Sequence, residues 1–62
     1  MTTTRPEPKY RVIVVDDSVI DREVVVGVLT SQPGVEVVAV ARNGYDALEK
    51  LAKVRADALV ID

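Results

Sequence analysis

Apolar positions along this chain follow two different rhythms. Val12-Ile13-Val14-Val15 and Ala58-Leu59-Val60-Ile61 are unbroken apolar runs of strand length, the pattern of strands buried on both faces of a parallel sheet. Each run ends on carboxylate, the first on Asp16-Asp17 and the second on Asp62. Residues 9–15 are therefore predicted as a first strand. Ser18 stands three residues before Asp21, the spacing of a capping box, and marks the start of a helix. In that helix Ile20, Val24 and Val28 fall on one stripe with Val25 and Leu29 beside it, while Asp21, Arg22 and Glu23 cluster toward the other side. The β-branched run Val24-Val25-Val26 also suits a strand. The helix is preferred because parallel strands need a crossover of about a dozen residues or more.

Residues 30–34, with Pro33-Gly34, read as a turn, and residues 35–40 as a second strand whose Glu36 suits an edge position. A loop follows over 41–44. Asn43 caps a second helix with Asp46 three residues on. Its apolar stripe is Leu48, Leu51 and Ala52, supported by Ala47, and Tyr45 is expected to be half-buried. Asp46–Lys50 and Glu49–Lys53 are acid-before-base pairs at i,i+4. Residues 54–57 return the chain to a third strand at 58–61. The order strand–helix–strand–helix–strand, with right-handed crossovers, gives a partial α/β parallel sheet in the order 2-1-3 with a helix on each face. The carboxyl ends of strands one and three then form a switch point, where Asp16, Asp17 and Asp62 are expected to meet.

Composition narrows the chemistry. The 62 residues include no histidine and no cysteine, and the only aromatics are two tyrosines. Thiolate zinc sites, disulfides and a histidine base are excluded. A net charge of −2 argues against non-specific nucleic-acid binding. No apolar run reaches membrane-spanning length, and residues 1–8 read as a flexible Thr- and Pro-rich leader without a signal-peptide core. A soluble, cytoplasmic protein is the expectation. A domain of this size buries only about 60% of its unfolded surface, so marginal stability is expected.

Three carboxylates in one crevice repel one another and call for protons or a cation. Oxygen donors alone select magnesium, manganese or calcium. Magnesium leaves room for phosphate oxygens, and a carboxylate beside it is a nucleophile toward phosphorus. Taken alone, Asp16-Asp17-Ser18 fits ordinary helix capping equally well. The joint pattern, two apolar strands each ending in Asp and separated by two helical units, is far more specific. No Gly-x-Gly-x-x-Gly, no Gly-x-x-x-x-Gly-Lys and no Gly-x-Ser-x-Gly is present.

Val12-Ile13-Val14-Val15-Asp16-Asp17-Ser18, Gly34-Val35-Glu36-Val37-Val38-Ala39, Ala41-Arg42-Asn43-Gly44-Tyr45-Asp46-Ala47-Leu48 and Asp57-Ala58-Leu59-Val60-Ile61-Asp62 together resemble the first half of a bacterial response-regulator receiver domain. They are most similar to the receivers of chemotaxis protein-glutamate methylesterases. The resemblance covers residues 9–62 and implies a flavodoxin-like fold truncated after strand three. It also implies roles: Asp62 as phosphoacceptor, Asp17 as a direct magnesium ligand, Asp16 as holder of a metal-bound water, and a sensor histidine kinase as phosphoryl donor.

The hydroxyl residue, lysine and switching aromatic of the family all fall beyond Asp62, as does any output domain. Asp21 also departs from the pattern, since that position is usually apolar or basic. The chain itself is not expected to be an enzyme, although a longer parent is expected to carry an output such as a methylesterase. The alternatives are the receiver of a DNA-binding transcriptional regulator, a magnesium phosphotransferase or phosphatase, and a non-catalytic βαβαβ interaction fragment. With no fourth strand, the free edge of strand three is expected to drive self-association.

Overall fold

The computed structural model describes residues 9–61. The leader assigned to residues 1–8 and the proposed phosphoacceptor Asp62 lie outside the described residues. Within them the chain runs β1 (Tyr10–Val15), α1 (Val19–Thr30), β2 (Val35–Ala41), α2 (Gly44–Leu51) and β3 (Ala58–Ile61). The sheet is parallel and its order is β2-β1-β3, as the sequence pattern predicts. This is a partial flavodoxin-like α/β arrangement.

β1 is the hub because both its edges are paired. Val12, Ile13, Val14 and Val15 are all buried, and Ile13 and Val14 completely so. Each buried side chain of this size contributes roughly 1.5–3 kcal/mol. Alternation along the strand divides them between two layers. Ile13 and Val15 join Ala41 of β2 and Ala47 of α2 in one cluster, against which Val38, Ala39, Val54 and Ala56 pack. On the opposite face Val40 lines a cleft with Val19 and Val26 of α1. The register with β2 slips between Val12 and Ile13, whose partners are Val37 and Ala39, so Val38 is an extra residue. A bulge of this kind bends its strand and raises the local twist.

The local punctuation matches the residues that supply it. Gly34 adopts φ 86, where only glycine is unstrained, and its carbonyl accepts from the Tyr10 N–H at 2.7 Å, tying the turn to the start of β1. Ser18 and Asn43 cap the two helices through Asp21 N at 3.2 Å and Asp46 N at 2.9 Å.

Several expectations about faces are overturned. In α1 the stripe Ile20, Val24 and Val28 is exposed, Ile20 by 75%, and the half-buried side is Arg22, Val25, Val26 and Leu29. In a helix with five valines among its twelve residues the apolar residues surround much of the axis, so periodicity alone does not choose the face. In α2 only Ala47 is buried, while Leu48 is 66% exposed and Leu51 and Ala52 are also exposed. The small Ala47 lets the helix backbone sit close to the sheet, and its bulkier neighbours project around it. Tyr45, expected to be half-buried, is 88% exposed. The Asp46–Lys50 pair forms at 3.5 Å. No Glu49–Lys53 pair forms among the described residues, because α2 ends at Leu51, before Lys53. β3 reads as a doubly buried strand but is largely exposed, since neither helix packs on it.

Candidate functional site

The carboxyl end of β1 carries the only strand-terminal acids among the described residues. β1 stops at Val15, but the ladder continues for one more bond, with Asp16 N–H donating to the Ala41 carbonyl at 3.0 Å. That bond draws Asp16 into the protein, where it is 4% exposed, while Asp17 turns out to solvent. Asp16 Oδ1 accepts from the Ser18 N–H at 2.9 Å, closing a short side-chain turn into α1. The Asp16 carbonyl accepts from Arg22 Nη1 at 2.8 Å. The other carboxylate oxygen, Oδ2, is buried and has no hydrogen-bond partner.

This geometry separates capping from acid chemistry. The cap of α1 is Ser18, so neither aspartate is needed for it. A buried carboxylate oxygen without a partner loses its hydration and gains nothing in return, which costs free energy unless something unseen satisfies it. A hard cation, or a water held by one, answers that need, and the neighbouring exposed Asp17 offers a second oxygen donor. The residues present therefore fit a magnesium-type ion, with Asp16 and Asp17 as its holders. Asp62, the third acid expected here, lies outside the described residues. Among those residues, no group of three or more potential ligands comes together. Val15 and Ile61 are register partners, and each is followed in sequence by an aspartate.

Two other aspartates show what a purely structural acid looks like in this fold. The Arg42 N–H donates to Asp46 Oδ2 at 3.0 Å and, with the nearby Lys50 and Arg42 charges, holds that carboxyl below its ordinary 3.8 against the opposing effect of burial. The Arg11 N–H donates to Asp57 Oδ2 at 2.8 Å and, with Arg55 at 2.9 Å, likewise holds Asp57 below 3.8. Asp57 N–H returns a bond to the Arg11 carbonyl at 2.6 Å, and Arg11 Nε donates to the Arg55 carbonyl at 2.8 Å. Both oxygens of each carboxylate have a backbone donor or a basic side chain beside them, unlike those of Asp16.

Arg22 is the residue that sequence reading missed. The helical periodicity groups it with Asp21 and Glu23 away from the apolar stripe, yet it is half-buried and bonded to the Asp16 backbone. The available signal was its spacing: four residues after the Ser18 cap, Arg22 falls one helical turn above the acids and above the same sheet edge.

The sequence has relatives along its whole length. It is 52% identical over all 62 of its residues to protein-glutamate methylesterase/protein-glutamine glutaminase 5 of Myxococcus xanthus, covering 17% of that protein. It is 47% identical over 55 residues to the protein-glutamate methylesterase/protein-glutamine glutaminase of Nocardioides sp., which is 89% of this chain and 15% of the relative. A further such protein, from Anaeromyxobacter dehalogenans, is 41% identical over 98% of the chain and 16% of its own length. No family model matches the chain. No solved structure matches it significantly. The resemblance to these methylesterases read from the sequence is borne out, and the chain spans about a sixth of the length of the curated relatives it matches.

Proposed function

We propose that this chain is the acid-bearing part of a receiver domain, the phosphoacceptor module of a two-component phosphorelay. In this reading Asp62 receives the phosphoryl group from a histidine kinase, and Asp16, Asp17 and Asp62 hold Mg2+. The observation that carries it is the buried, partnerless Oδ2 of Asp16 at the carboxyl end of β1, in a chain similar over its full length to protein-glutamate methylesterases. In the transfer, an Asp62 carboxylate oxygen forms a bond to phosphorus as the phosphorus–nitrogen bond of the phosphohistidine breaks. The electron pair returns to the imidazole nitrogen, which takes up a proton. The bound cation supplies charge screening for the incoming phosphoryl oxygens. Asp16 would hold a water for that cation, and Asp17, being exposed, would bind it directly.

The longer protein in this reading carries a methylesterase output outside these 62 residues, as its methylesterase relatives suggest, and serves chemotaxis. A receiver of a DNA-binding regulator ranks below it, because the similar proteins named above are methylesterases. The reading also includes association of this chain with itself. The outer edge of β3 is unpaired among the described residues, carries neither charge nor proline, and exposes Leu59 and Ile61. By contrast the outer strand β2 carries Glu36 and a bulge. Among the described residues, no helix is long and apolar enough to cross a membrane.

Intact mass before and after acetyl phosphate with Mg2+ tests the phosphoacceptor role. One hydroxylamine-labile phosphoryl group, lost on chelation of the metal and in Asp62→Asn, is the expected outcome. An adduct that survives Asp62→Asn, or no adduct at all, overturns it.

A further inference from the structure

We infer that Arg22 is a positioning residue for the cation site, acting through the Asp16 main chain rather than by pairing with an acid. This rests on the reading of Asp16 and Asp17 as a hard-cation site. The argument is a count of what Asp16 has left to offer. Its N–H is committed to the Ala41 carbonyl at 3.0 Å, its Oδ1 to the Ser18 N–H at 2.9 Å and its carbonyl to Arg22 Nη1 at 2.8 Å. Only Oδ2 remains, and it is buried. Three bonds in three directions fix the residue's position, so that one lone carboxylate oxygen is presented in a set direction.

Arg22 is the one side chain among those three anchors. No ion pair among the described residues joins its guanidinium to a carboxylate, although Asp16, Asp17, Asp21 and Glu23 are all near in sequence. A cation aimed at a neutral carbonyl beside two acids does two things. It anchors the turn by a charge-assisted bond, and it leaves both carboxylates free for an incoming ion. A salt bridge from Arg22 to either acid would instead compete with that ion. The position of Arg22 in the first turns of α1 makes the anchor local, because its own N–H is bonded to the Ser18 carbonyl at 2.9 Å. The helix and the acid turn therefore move as one body.

The test is Mn2+ titration of the full 62-residue chain, followed by paramagnetic broadening of the Asp17 and Ser18 amide signals. Wild type, Arg22→Met, Arg22→Lys and Asp16→Asn are compared. Residues that orient a ligand from outside the coordination sphere typically change metal affinity on the order of 10–100-fold when removed. Arg22→Met should weaken Mn2+ binding by that factor while the sheet amides keep their folded shifts. Arg22→Lys, which retains one charged donor, should recover most of the loss. Equal Mn2+ affinity in Arg22→Met and wild type overturns the positioning role.

If Arg22→Met does not fold, the wild-type protein still decides. The Arg22 guanidinium protons and the Ser18 amide should respond together to diamagnetic Mg2+, and unchanged guanidinium signals on Mg2+ binding overturn the role. Absence of Mn2+ binding in wild type is a different failure. It removes the cation site itself, and the inference about Arg22 falls with it.

Discussion

Asp46 and Asp57 show how single side chains add an acid dependence to the stability of this fold. Each is held below its ordinary 3.8 first by a backbone N–H, from Arg42 and Arg11 respectively, and then by neighbouring bases. A carboxyl whose folded value lies below its unfolded value binds fewer protons when folded. Its contribution to stability is therefore fully present above about pH 4 and is lost as pH falls through the depressed folded values. Urea denaturation between pH 2 and pH 6 should show midpoints that fall on the acid side. Asp46→Asn and Asp57→Asn should each flatten that dependence. A wild-type profile that is flat below pH 4 would contradict the roles assigned to both clasps. Asp16 differs in kind, because one of its oxygens is buried and has no base or donor to satisfy it.

At the level of elements, β1 carries the fold and α1 lies on it by its less obvious side. Ile13 is fully buried at the centre of the cluster with Val15, Ala41 and Ala47. Ile13→Ala should cost about 2–5 kcal/mol by transfer and cavity terms together. Ile20→Ala removes the same side chain from the stripe that periodicity singles out, but Ile20 is exposed, and surface changes of this type stay within about 0.5 kcal/mol. Thermal or urea unfolding of the two variants checks the assignment of faces. If Ile20→Ala costs as much as Ile13→Ala, the stripe is buried and α1 is rotated relative to the arrangement described. The edge strands differ for the same reason as the helices. β2 is covered on both faces, whereas β3 pairs with β1 and has no helix over it.

At the largest scale, the described residues expose much apolar surface. Ile20, Val24 and Val28 on α1, Tyr45 and Leu48 on α2, and Leu59 and Ile61 on β3 are all open to solvent. A domain of this size has little margin with which to sustain such surfaces. Association by strand addition at β3 covers backbone groups as well as side chains, and it needs no rearrangement of the core. Sedimentation of the chain over a range of concentrations should show a species heavier than monomer, and Leu59→Lys should shift it toward monomer. A wild-type chain that stays monomeric and unfolds cooperatively throughout that range would remove the association from the proposed reading.

Element order, strand order and both helix caps were legible in the sequence because they depend on local rules. A run of four apolar residues, a serine or asparagine three residues before an aspartate, and a glycine at a turn act within a few residues of themselves. The 2-1-3 order also followed, since β1 and β3 carry the most apolar runs and Glu36 marks β2 as an edge. The position of the acid pair was legible for the same reason, being adjacent residues at one strand end.

What only the tertiary structure decided was direction. It set which side of a valine-rich helix meets the sheet, that Ala47 rather than Leu48 is the contact of α2, and that β3 lies outside the cover of both helices. It also showed that Arg22 reaches back to the Asp16 carbonyl and that one oxygen of Asp16 is buried without a partner. The faces that the helices present depend on the angle and height at which a helix crosses a twisted sheet. That placement is fixed by packing between residues far apart in the chain, and no local pattern encodes it.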